Sequence, residues 1–235
     1  MRTFVNLTKH KQIENMKYFI FDSDAHYRND PMVYDTDIAP EFEPFYSTIE
    51  FPFHSFPEAL VRPVGYRYIG KTEPTDLLLC PLPSSLGFVM TERTLRIFDQ
   101  FNIPEYRVVE FDIDYHGNDL KYLWVVFRHT FDLDQIDIPQ SSFFSGNEYF
   151  SRKDLEIRSR EAFDAFLLET DSLKRGYMKL VLQPSFDWDF FRIHPEFGVR
   201  YFCSEPLKQK LEEAGITGLK FTEAQRIVHN KAGGS

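Results

Sequence analysis

Two stretches of this chain carry one residue pattern in one register. FVMTERTLRIFDQFNI (88–103) lies over YFCSEPLKQKLEEAGI (201–216) without a gap. Thr91 falls on Ser204, Glu92 on Glu205, Phe98 on Leu211 and Ile103 on Ile216. In both, an apolar strand ends at a hydroxyl residue, whose oxygen accepts from the free amides of a helix's first turn. A Glu follows where the positive end of the helix dipole favours negative charge. Pro206 stands in the first turn, where a missing amide does no harm. The helices should run about three turns. Gly215 suits the left-handed position that ends a helix, and Ile216 leads into a second strand, GLKF. The chain is therefore expected to repeat a strand–helix–strand unit, at 86–111 and 199–223. That pattern predicts an α+β fold, with both units in one sheet-rich core.

The remaining segments are consistent with sheets. Residues 17–22 read as a strand. In RVVEFDIDY (107–115), Val109, Phe111, Ile113 and Tyr115 alternate with Glu110, Asp112 and Asp114. Period two of this kind gives a strand with one wet face. HGND (116–119) is a turn signal, and LKYLWVVFRH (120–129) is apolar on both faces, so a hairpin with the second strand more central is expected. Residues 158–169 suit a helix with Phe163, Phe166 and Leu167 on one side. Residues 64–69, 178–182 and 199–203 read as strands. Between 28 and 63 stand Pro31, Pro40, Pro44, Pro52, Pro57 and Pro63. Proline lacks an amide donor, so this stretch should be irregular, packed down by its aromatics rather than disordered. Residues 1–15 read as an N-terminal extension, 16–229 as one domain and 230–235 as a flexible tail.

Composition excludes several classes. Net charge is −9 over 235 residues, a poor match to nucleic acid, whose binding needs basic surface. The 25 Phe and 12 Tyr point to an aromatic, sheet-rich interior. Cys80 and Cys203 lack metal-site spacing and read as reduced, partly buried thiols. Residues 1–15 lack the apolar core of a signal peptide, and no stretch approaches the roughly 20 apolar residues of a membrane helix. A cytoplasmic protein is expected.

Catalytic signatures are weak. YFIFDSDAHY (18–27) resembles the opening of a haloacid-dehalogenase-type phosphotransferase, which implies Asp22 as nucleophile and Asp24 as acid/base. A magnesium-binding acidic pair and a lysine should follow in an alternating α/β chain. A proline-rich stretch follows instead, so the alternative, a metal-dependent phosphohydrolase using Asp22 and Asp24, ranks below a strand and Asx turn. Asp112, Asp114 and His116 share a strand face but have no further metal ligand. His26, His54, His129 and His194 are scattered, Ser84-Ser85 has no nucleophile elbow, and no glycine-rich phosphate loop is present. No catalytic residue, metal site or cofactor is assigned. The densest acidic set is Glu110, Asp112, Asp114 and Asp119, with Asp132, Asp134 and Asp137 beyond. Such a set can face a basic partner.

The second repeat also carries a family resemblance. YFCSEPLKQKLEEAGITGLKF (201–221) resembles the C-terminal signature of bacterial polymorphic-toxin immunity proteins, especially the family numbered eleven, with family forty-three similar. DWDFFRIHPEFGVRYFCSE (187–205) is similar to the approach to that signature. LGFVMTERTLRIFDQF (86–101), with its following hairpin, resembles the upstream copy. The likeness covers residues 76–221, and more weakly MKYFIFDSD (16–24); it does not account for 28–63. It implies a cytosolic antidote that binds and neutralises a cognate toxin, with no catalysis. Many such toxins are basic nucleases, for which the acidic set above would be the contact.

Overall fold

The computed structural model describes residues 16–23, 32–34, 56, 66–68, 73–78, 87–128, 131–171, 174–193 and 200–229. Among these residues the fold is α+β, with fourteen strands and three α-helices, each numbered in chain order. Three sheets carry it. In the central one, β11 (Phe190–Arg192), β12 (Tyr201–Ser204), β1 (Tyr18–Ser23) and β13 (Leu219–Glu223) lie side by side, all antiparallel. A six-stranded sheet has the order β2 (Met32–Tyr34), β3 (Tyr66–Tyr68), β6 (Tyr106–Tyr115), β7 (Asn118–Phe127), β5 (Phe88–Met90), β4 (Leu77–Leu78). The third runs β14 (Ile227–His229), β10 (Arg175–Leu182), β8 (Ser142–Ser145), β9 (Lys153–Leu155).

In the central sheet β11, β12 and the first part of β1 are covered on both faces and read as continuous apolar runs, whereas the edge strand β13 exposes Lys220, Thr222 and Glu223. Along β1, Phe19 and Phe21 face the core shared with the six-stranded sheet, and Tyr18 and Ile20 face the core shared with the third. Tyr201 and Cys203 of β12 follow the first direction, Phe202 the second. The free thiol of Cys203 is fully buried, and burial pushes its pKa up. Helix α2 (Arg160–Glu169) buries Phe163 and Phe166 and leaves Leu167 half-buried.

Both repeat segments are strand–helix–strand. The first is β5, α1 (Glu92–Phe98), β6; the second is β12, α3 (Glu205–Glu213), β13. In each, the two strands run parallel and flank a third that opposes both. That third strand is β7, immediately after the first unit, but β1, from the other end of the chain, in the second. The helices are shorter than the expected three turns, with seven and nine residues.

Cap chemistry is shared only in part. Ser204 Oγ accepts from the Leu207 amide, as expected of a cap. Thr91 holds the N-cap position of α1, but its hydroxyl donates to Asp76 Oδ1 at 3.0 Å instead. Asp76 draws it away, because the same carboxylate also accepts from the amide and hydroxyl of Thr217, both at 3.0 Å. Arg93 Nη2 donates to the carbonyls of Ala214 and Gly215, closing the C-terminal end of α3. The Gly-Ile-Thr-Gly stretch at 215–218 is thus the joint between the units.

Candidate functional site

The β6–β7 hairpin carries the first group of acidic candidates. Its two-residue turn, His116-Gly117, has φ of 53° and 81°, the backbone whose twist suits antiparallel strands. In the register, Glu110 opposes Leu123, Asp112 opposes Lys121 and Asp114 opposes Asp119. Phe111 and Ile113 are buried, whereas Glu110 is exposed and Asp112 and Asp114 are half-buried. The wet face is therefore where alternation predicts it; β6 and β7 share the two middle places of the sheet, so β7 is the more buried strand but not the more central one.

That wet face is continuous with a core. Val125 and Phe127, lower on β7, pack under Leu95, Ile97 and Phe98 of α1. Farther along, the sheet extends past the helix and leaves a cavity of about 500 Å³. Leu95, Val108 and Leu123 give it an apolar lining, and Glu92, Glu110 and Asp112 an acidic rim, with Lys121 among them. Val108 keeps 39% of its surface exposed. The arrangement can take an apolar side chain flanked by basic ones.

The other acidic candidates lie elsewhere or are engaged locally. Asp114 Oδ2 accepts from Arg67 Nε at 3.2 Å and its Oδ1 from the Gly117 amide at 2.8 Å, so it braces the hairpin. Asp119 is exposed beside the turn. Asp132 and Asp137 cap two short 3-10 turns, and Asp134 pairs with Arg160. These turns adjoin β10, through an Ile136–Leu182 bridge, in the third sheet. Of the seven residues, Glu110 and Asp112 reach the cavity.

The sequence reading missed the apolar half of this site. Its signal was Val108, an apolar residue in the phase of Glu110 and Asp112. The contributions of Leu95 and Glu92 come from a helix packed across the sheet, and no local pattern encodes that.

His116 sits in the turn against the Tyr115 ring, with centroids 4.4 Å apart. Among the described residues no group of three His, Cys, Asp or Glu side chains is placed to hold a metal. Asp22 is exposed on β1, opposite Lys220 of β13. Asp24, His26, His54, Cys80, Ser84, Ser85, His129, His194 and nearly all of the proline-rich stretch lie outside the described residues. Among the described residues no helix is long and apolar enough to cross a membrane. No protein-family model matches the chain, and no curated protein matches it.

Proposed function

We propose that this chain is an immunity protein of the kind its repeat resembles: a cytoplasmic antidote that binds a cognate bacterial toxin and does no catalysis itself. The observation that carries this reading is the acidic rim over an apolar floor where the β6–β7 hairpin outruns α1. Burying apolar area supplies affinity, and the rim carboxylates draw a basic partner, such as a nuclease-like toxin, and suppress wrong ones. The phosphohydrolase alternative has less support. Doubly wound phosphotransfer folds bind at the carboxyl ends of parallel strands, whereas Asp22 lies on a strand with antiparallel neighbours on both sides.

The reading predicts a secreted toxin encoded beside this gene, and the test is binding kinetics with the product of that neighbouring gene across an ionic-strength series. Glu110→Lys/Asp112→Lys is the informative variant, because both residues reach the cavity and Asp114 is committed to the hairpin. Association should slow by about tenfold at low salt, with a weaker salt dependence than wild type. Unchanged association, or no complex with the wild-type protein, would overturn the reading.

A further inference from the structure

Between β8 and β9, residues 146–151 form a loop tied by its own hydrogen bonds. Asn147 Oδ1 accepts from the amides of Tyr149 at 3.0 Å and Phe150 at 3.2 Å. The Asn147 amide donates to Ser151 Oγ at 3.1 Å, and the Ser151 amide to the Asn147 carbonyl at 3.1 Å. Gly146, at φ 90°, lies so close to Ser151 that a Cβ would be 2.1 Å from its carbonyl oxygen. This fixed loop leaves Tyr149 83% and Phe150 90% exposed. Two large rings held in water contribute little to the core. The ordering cost that a mobile loop would meet on binding is already met by the fold.

Beside the loop, a cleft of about 550 Å³ opens between the central sheet and the third. Ile20, Phe144 and Phe202 line its apolar part, and Tyr149 stands at its wall. Arg175, Arg200 and Arg226 come to its edge. Arg226 donates to Glu148, and this bond, with Arg152 and Arg200 nearby, holds the Glu148 carboxyl below its usual range. Three arginines thus stand against two carboxylates in the lining, Glu148 and Glu223, and Glu223 is itself paired with Lys17, so the cleft is net positive in a chain of net charge −9.

The geometry points to a second docking site here, whose occupant is an extended acidic segment of a protein partner bearing aromatic side chains. Guanidinium groups pair with carboxylates in a forked, charge-assisted geometry. Exposed rings take aromatic side chains edge-on or offset. At physiological salt, charges beyond about 8 Å are screened, so the arginines govern the encounter despite the net charge. A nucleic acid fits less well, because its many phosphates would meet the acidic remainder of the surface. This inference does not depend on the toxin reading, since a basic toxin suits the other groove.

The probe is a fluorescently labelled random copolymer of glutamate and tyrosine, titrated into the full chain at physiological salt and followed by anisotropy. Polyglutamate and a single-stranded oligonucleotide are run beside it. The copolymer should bind more tightly than either. Arg200→Glu, and separately Tyr149→Ser/Phe150→Ser, should each weaken it by about tenfold. All three side chains are exposed, and unfolding curves for the variants should overlay wild type. No binding, binding unaltered in both variants, or tighter binding of the oligonucleotide overturns the inference.

Discussion

At the start of α3 the Ser204 hydroxyl accepts from the Leu207 amide at 3.4 Å and donates to Asp189 Oδ1 at 2.6 Å. The other Asp189 oxygen accepts from the Asn102 amide at 3.0 Å. One buried serine therefore caps a helix and anchors a carboxylate that also holds the loop after α1. Ser204→Ala is expected to cost about 1–2 kcal/mol, from the lost cap and from a charged acceptor losing its donor. Thr91→Ala also takes a donor from a carboxylate, but Asp76 keeps its two Thr217 donors and no cap bond to an α1 amide is lost, so it should cost less, about 0.5–1 kcal/mol. Urea unfolding of the two variants gives the comparison, and equal costs would count against the cap assignment. Glycines at the joint allow a second contrast. Gly215 and Gly218 have φ of 64° and 82°. A Cβ on Gly215 meets nothing within 4 Å, whereas one on Gly218 falls 2.2 Å from the Leu77 carbonyl oxygen. Alanine at either should cost about 1 kcal/mol for the left-handed backbone. At Gly218 the clash should add roughly 1–3 kcal/mol. If both alanine variants unfold at the same urea concentration, the close approach is not binding the units together.

Among the elements, β14 offers a pH test. It runs parallel to β10, with Ile227 and His229 turned inward. The His229 ring lies 6.3 Å from Tyr18 and 6.2 Å from Phe186, and burial depresses its pKa below the usual 6.5. The unfolded chain therefore binds that proton more readily than the folded one. Its contribution is complete above about pH 6.5 and is lost as pH falls toward the depressed folded value. His229→Gln should remove this slope, so stability curves for wild type and variant should diverge below about pH 6.5 and run parallel above it. Parallel curves down to the carboxylate range would rule out the assignment. Elements also show what a sequence can and cannot convey. The β6–β7 hairpin was legible because Phe111 and Ile113 alternate with Glu110 and Asp112, and because His-Gly accepts a left-handed turn. The ends of α3 were legible through Ser204, Pro206 and Gly215, all local chemistry. That β1 lies between β12 and β13 was not legible, since pairing across most of the chain leaves no local mark. Composition points to an aromatic interior and does not set Tyr149 and Phe150 apart from the other rings. The exposure of that pair follows from Asn147 and Gly146 shaping a loop, which hydrophobicity does not reveal.

For the whole molecule, the question is whether the sheets unfold together. A chain of 235 residues is large enough to lose its layers separately. The fold resists this through Phe21, whose ring lies 5.0 Å from Phe88, 5.7 Å from Phe98, 5.3 Å from Phe190 and 5.9 Å from Phe221. Those four rings come from both repeat units and from β11. The opposite face of β1 places Tyr18 against Phe186 and Phe191, in the core of the third sheet. A single strand thus belongs to two cores. The two tryptophans report on different places: Trp124 is buried in the six-stranded sheet, and Trp188 packs at the edge of the other core. In Trp188→Phe the fluorescence follows Trp124, and in Trp124→Phe it follows Trp188. Within each variant, fluorescence and far-ultraviolet circular dichroism should give one urea midpoint. Phe21→Ala, placed in either background, should cost about 3–5 kcal/mol and move both probes by the same amount. A Trp188 transition that stays in place while the Trp124 transition falls would show that the layers unfold independently, and that β1 does not couple them.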